Sequence, residues 1–193
     1  GLLPFPVQPA DLDFWGMSST ANTYGDVIQK SIVLSDADIT SLVLGDSHKA
    51  LKTEPLDLFI SALLKSFGEI FEERELPTLF NEGHGREPWD DTIDLSQTVG
   101  WFTSLCPVHV SRRNIAPDDI LDCVRKVKDV RRSIPSNGRP YFARCYLTES
   151  GKTHRSNHEP MEVVLNFLGR TQQTSQGNPF FGSADLSMTE EEL

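Results

Sequence analysis

Residues 81–89 read Asn81-Glu82-Gly83-His84-Gly85-Arg86-Glu87-Pro88-Trp89, and within them a carboxylate, an imidazole and a guanidinium fall in five consecutive positions. Two glycines flank the histidine, so the backbone there is free to bend sharply or to approach a ligand closely. Glu82 is a candidate general acid or base, provided that burial brings its carboxyl toward neutrality. Arg86 has the planar fork to hold Glu87 or the downstream Asp94 in a bidentate pair. A surface turn held by local ion pairs would use the same residue types. Composition and spacing alone leave both readings open.

Other reactive residue types lack the company that would activate them. Ser96 has no GxSxG context, so a hydrolase triad is not supported. Cys145 follows Arg144, but no general base is near it in sequence. Cys106, Cys123 and Cys145 form no CxxC pair and are odd in number, which argues against a disulfide framework or a zinc site and for a reducing, cytoplasmic setting. No metal site is expected. His48 opens a helical segment and reads as structural, and so does His84, through a local hydrogen bond. Trp101 and Phe102 read as core aromatics.

The elements that must position these groups follow from periodicity and punctuation. Residues 1–25, rich in Pro, Ser, Thr and Gly with Phe5, Phe14 and Trp15 embedded, read as a linker that packs against something. The β-branched run Asp26–Leu34 predicts a strand. Ser35-Asp36-Ala37-Asp38 is a helix start leading into Ile39, Leu42 and Val43. A longer helix is predicted over 54–71, with Leu58, Phe59, Ala62, Leu63, Leu64, Phe67 and Ile70 as its apolar stripe. Pro77–Phe80 is a short strand that delivers the polar loop, a common way to mount reactive groups on a rigid support. Val99–Val110 is a further strand candidate. Pro117, Asp118 and Asp119 start a helix, with Ile120, Leu121, Val124, Val127 and Val130 facing the core. Ser133–His158 reads mostly as loop apart from a short run at Tyr141–Tyr146. Met161–Leu168 reads as a strand buried on both faces. The alternation predicts an α/β layer architecture with a mixed sheet packed with helices.

The 193 residues, 38% hydrophobic and 24% charged, suit one soluble domain or a piece of one. A net charge of −10 disfavours nucleic acid. The basic stretch Arg125–Arg132 reads as a solvated helix face. No apolar run reaches the roughly 20 residues that span a bilayer, so no membrane partner is expected. The opening Gly1-Leu2-Leu3-Pro4-Phe5-Pro6 has no basic region, so no signal peptide is expected, and it reads as a chain entered in its middle.

Set beside known families, EGHGRE (82–87) followed by Asp94-Leu95-Ser96-Gln97-Thr98-Val99-Gly100-Trp101-Phe102-Thr103 resembles the signature pair of epimerization domains, of the condensation-domain superfamily, in nonribosomal peptide synthetases. Tyr141–Leu147 (YFARCYL) and Leu165–Gly169 (LNFLG) resemble two further motifs in the expected order. Phe14-Trp15-Gly16-Met17, Gly45–Ala50 and Thr53-Glu54-Pro55 resemble fungal members in particular. The resemblance runs from about residue 3 to about residue 181. It implies one lobe of a two-lobed, chloramphenicol acetyltransferase-like α/β fold, the C-terminal lobe over 26–193 after a linker over 1–25, with the family's final strand and helix not reached.

The activity implied is inversion of an aminoacyl or peptidyl thioester carried on the 4'-phosphopantetheine of a peptidyl carrier protein, by Cα deprotonation and reprotonation. No cofactor would be bound directly, and the other partner would be the N-terminal lobe. By motif position Glu82 is the catalytic carboxylate. Asn166, Phe167 and Trp101 would contact substrate or pantetheine or support the oxyanion, while Gly83, His84, Gly85, Arg86 and Asp94 would be structural. The family's HHxxxD motif does not occur here, where the histidines are His48, His84, His109, His154 and His158. Gln97 stands where the family usually has Arg, Cys106 where it has an aromatic, and Leu165 and Phe167 where it has Phe and Tyr. Three other readings stay open: a condensation lobe that forms amide bonds, a non-catalytic carrier-binding lobe, and an inactive truncated product.

Overall fold

In the computed structural model, residues 8–17, 23–86, 90, 92–116, 119–151 and 159–169 are described. Their centre is a sheet of three strands, β1 (Leu79–Gly83), β2 (Ser104–Val108) and β3 (Val163–Asn166), in the order β2-β1-β3. β1 pairs antiparallel with β2 and parallel with β3, so the sheet is mixed. The helices are α1 (Ala37–Ser41) and α2 (Ser47–Leu51), joined through a π turn at Leu42–Asp46, then α3 (Pro55–Ile70), α4 (Ile120–Ser133) and α5 (Arg139–Leu147). The expected mixed α/β architecture is borne out.

Each helix starts where local chemistry dictates. Asp36 caps α1, its carboxylate accepting from the Asp38 and Ile39 amides. Pro55 opens α3, and the Asp57 carboxylate accepts from the Glu54 amide at 2.8 Å. Asp119 caps α4 through the Leu121 and Asp122 amides, while Pro117 and Asp118 of the expected start lie outside the described residues. The core is Ile60, Leu64 and Phe67 of α3 against Leu79, Val108, Cys123 and Val127. At the far end of α3, the Arg112 guanidinium donates to the Gly68, Phe71 and Arg74 carbonyls at 2.7, 2.9 and 2.9 Å. Gly68 lies in the last turn of α3, where carbonyls are left without intrahelical donors.

A strap ties residues 8–17 to the starts of two strands. The Gln8 amide donates to Thr78 Oγ1 at 2.8 Å, just ahead of β1. The Trp15 indole and the Asp11 amide donate to the Glu162 carboxylate, just ahead of β3, at 2.8 and 3.1 Å. Arg74 ion-pairs with that carboxylate and lies 4.2 Å from the Phe14 ring centroid. The expectation that this segment packs against something is met here.

Several expectations are corrected. Asp26–Leu34 forms no strand: no strand among the described residues pairs with it, and β-branched side chains favour a sheet only where one is present to pack on. The α3 stripe is shifted, with Ile60 and Ser61 buried and Phe59, Leu63 and Ile70 exposed. On α4, Ile120 and Leu121 are likewise exposed while Cys123 joins the core. Of Val99–Val110 only Ser104–Val108 is strand. The short run expected at Tyr141–Tyr146 is part of a helix, α5, that also takes in Arg139, Pro140 and Leu147 from the stretch read as loop. Pro135-Ser136-Asn137-Gly138 is a tight turn with Ser136 and Asn137 at positive φ, and Pro140 sits in the first turn of α5, where its missing N–H costs nothing. Residues 161–168 are only half-buried, β3 alternating intermediate and exposed positions, because Val163 and Leu165 pack on the core and Val164 and Asn166 turn away from it.

Candidate active site

β1 carries Glu82 to the end of the sheet, and strand register decides its company. Glu82 lies opposite Leu105 on one side and Asn166 on the other. The Asn166 amide Nδ2 donates to Glu82 Oε2 at 3.0 Å, although the two residues are 84 apart in sequence. A carboxylate so held keeps its second oxygen to accept a proton, and its direction is fixed by the neighbouring strand.

Both residues line a cleft of about 760 Å³, within the usual size for a small-molecule or cofactor site. Its walls are the end of β1, Thr103 and Ser104, the segment Asn166–Gly169, the first turn of α3 and the C-terminal turn of α4. Phe167 lines it and packs on Phe59, ring centroids 5.2 Å apart. Cys106 lies in the wall, and burial pushes its thiol up to about 11, so it stays protonated at neutral pH.

The glycine-flanked loop after β1 is built for shape. Gly85 has φ +62°, and a Cβ there would overlap the Phe102 carbonyl oxygen, so only glycine fits. His84 Nδ1 accepts from the Arg86 amide at 3.1 Å, the local hydrogen bond expected of it. Arg86 is a correction. It pairs with no carboxylate among the described residues but donates to the Thr98 and Gly100 carbonyls at 2.9 and 3.5 Å and stacks on Phe102. Asp94 instead accepts from the Ser96 amide at 2.9 Å, which lowers its pKa. Glu87, the other expected partner, lies outside the described residues.

Trp101 is a second correction. It is 88% exposed rather than a core aromatic and does not line the cleft, and Arg86 holds the backbone just ahead of it at Thr98 and Gly100. The structure therefore brings Glu82, Asn166, Phe167, Gly83, His84 and Gly85 together and leaves Trp101, Arg86 and Asp94 outside.

The sequence reading missed the opposite wall. Arg131, read as part of a solvated face, ion-pairs with the buried Asp57 and with Glu54 at 3.3 Å. A carboxylate in the first turn after Pro55 is the local pattern of a cap, and nothing near it points to an arginine partner. Lys128 and Arg132 also leave the expected solvated pattern, donating to the Leu51 and Lys52 carbonyls at 3.2 and 2.6 Å.

Compared with known proteins, the chain is 64% identical over 192 residues to "Nonribosomal peptide synthetase 4" of Gibberella zeae, a match that covers 100% of the chain. Its homologues are fungal nonribosomal peptide synthetases. Another, "Nonribosomal peptide synthetase 1" of Aspergillus fumigatus, is 43% identical across 99% of the chain, and "Apicidin F synthase" of Gibberella fujikuroi is 48% identical across 87%. The chain spans only 2 to 3% of the length of these synthetases. No family model matches. Among solved structures, the epimerization domain from the third module of tyrocidine synthetase B covers 66% of this chain and 30% of its own, with 25% identity and a TM-score of 0.47. No helix among the described residues is long and apolar enough to cross a membrane.

Proposed function

We propose that this chain is one lobe of an epimerization-type domain within a synthetase, and that it supplies the carboxylate that moves a proton at the α-carbon of a carrier-bound thioester. The observation that carries this is Glu82 held by Asn166 at the rim of a cleft large enough for an acyl group and part of its arm. The motif resemblance and the names of the relatives support it.

In this reading an aminoacyl or peptidyl group enters on the 4'-phosphopantetheine of a peptidyl carrier protein. The free oxygen of Glu82 takes the Cα proton, and the electron pair of the broken C–H bond passes to the thioester carbonyl as an enolate. Donors fixed near that oxygen lower the barrier. Asn166 is a candidate for such a group, and its bond to Glu82 orients the base. Reprotonation on the other face gives the inverted centre, and returning the proton from Glu82 gives none. A second acid on the opposite lobe completes the turnover, in the role that the family's HHxxxD histidine fills. Three buried free thiols fit a reducing, cytoplasmic setting.

The test is a racemisation assay on a carrier-loaded aminoacyl thioester with the full polypeptide, scored for D and L product alongside peptide release. Glu82→Gln is expected to cut inversion by about 10² to 10⁴-fold while carrier binding holds. Peptide release with no racemisation would sink the proposal in favour of amide-bond formation, and carrier binding with neither product would favour a non-catalytic docking lobe.

A further inference from the structure

One polar group in the cleft wall has nothing to bond to. Asn81 precedes Glu82 on β1 and lines the cleft, and its Oδ1 is buried without a hydrogen-bond partner among the described residues. Its direct neighbours across the sheet are Cys106 on β2 and Leu165 on β3. Leu165 has no donor to offer. The Cys106 thiol is directed at the Pro107 carbonyl oxygen, 4.0 Å away. Exchanging the amide oxygen and nitrogen of Asn81 would bury an unpaired donor instead of an unpaired acceptor and remedy nothing. A central strand position flanked by a thiol and a leucine is where an aliphatic side chain packs best, so an amide there loses stability unless something entering the cleft satisfies it.

We propose that Asn81 is a ligand-binding residue whose side-chain oxygen accepts a hydrogen bond from a secondary amide N–H of the group that occupies the cleft. Burial beside apolar side chains favours a neutral donor over an ammonium, because a charge costs far more to strip of its water. Strand alternation turns Asn81 to the face opposite Glu82. The amide it meets therefore lies several atoms along the chain from the carbon at Glu82. This rests on the epimerization-type reading above, in which two sources carry such an amide: the pantetheine arm and a peptidyl acyl group.

The experiment measures, on the full natural polypeptide, the thermal midpoint and the affinity for carrier protein charged through a non-hydrolysable amide analogue of the thioester. One probe carries an aminoacyl group and the other a dipeptidyl group. Asn81→Leu, and Asn81→Val in case leucine is too long, should leave the thermal midpoint unchanged or raise it while weakening probe binding by roughly tenfold. Equal weakening for both probes assigns the bond to the arm, and weakening for the dipeptidyl probe alone assigns it to the acyl group. Undiminished binding of both probes by the variants overturns the inference, and so does a loss of binding that follows a fall in the midpoint. Wild-type protein that binds neither probe overturns the epimerization-type reading itself, and this inference with it.

Discussion

At Gly85 the chain has one backbone geometry and no room for a side chain, since the position a Cβ would take is already filled by the Phe102 carbonyl. Gly85→Ala has to move either the 83–86 turn or the 100–103 loop. The expected cost is about 1–3 kcal/mol in thermal unfolding, with inversion falling more than stability because the turn follows Glu82 directly. His109 makes a different prediction, in pH. Burial lowers its pKa below the ordinary 6.5, against the opposing pull of Glu75. Its folded form is therefore the neutral one, and Nδ1 is buried without a partner among the described residues. The sign follows: its contribution to stability is present above the unfolded value and is lost as pH falls through about 6.5 toward the lower folded value. His109→Leu should flatten the fall of the midpoint between about pH 7 and 5, and an unchanged slope would contradict this.

The elements are joined by an ion pair rather than by apolar contact alone. Arg131 on α4 reaches Asp57, which is 1% exposed in the first turn of α3. Removing one partner strands a buried charge, so Arg131→Met should destabilise by about 3–5 kcal/mol in denaturant unfolding. The double variant Arg131→Met with Asp57→Leu should regain most of that. About 1 kcal/mol should stay lost, because Asp57 also accepts from the Glu54 amide at the start of α3. A double variant no better than the single would show that the arginine acts by packing. What could be read in advance at this scale was local: the Asp36 and Pro55 helix starts, and the short strand that runs into Glu82. What could not was pairing. Nothing near Asn166 announces that its strand lies parallel to β1 in the register that meets Glu82, and nothing near Val27 announces that its run has no strand to lie against. Trp101 was misjudged for the same reason, since its place depends on an arginine 15 positions earlier that grips the loop just ahead of it.

Over the whole molecule, apolar surface is left uncovered. Ile28, Ile32, Val33 and Leu34 are 84, 88, 84 and 73% exposed, and Val99 elsewhere is 98% exposed. Surface of this kind marks sites of association. The isolated chain is therefore expected to bind a hydrophobic dye and to self-associate, and Ile28→Lys with Ile32→Lys should reduce both. A monodisperse, dye-free monomer at high concentration would contradict this.

The strap formed by residues 8–17 has a reach of its own. Thr78 and Glu162, the residues it grips, each stand four positions before the pair that meets at the cleft, Glu82 and Asn166. Strap and site thus sit at opposite ends of the same two parallel strands. Because coupling between two sites is reciprocal, a ligand that draws Glu82 and Asn166 into one alignment must also favour the arrangement the strap holds. Amide hydrogens of Gln8 and Asp11, far from any bound molecule, should then exchange more slowly when the cleft is filled. Trp15→Ala, removing one of the strap's two hydrogen bonds to Glu162, should reduce that protection and weaken binding without touching the ligand.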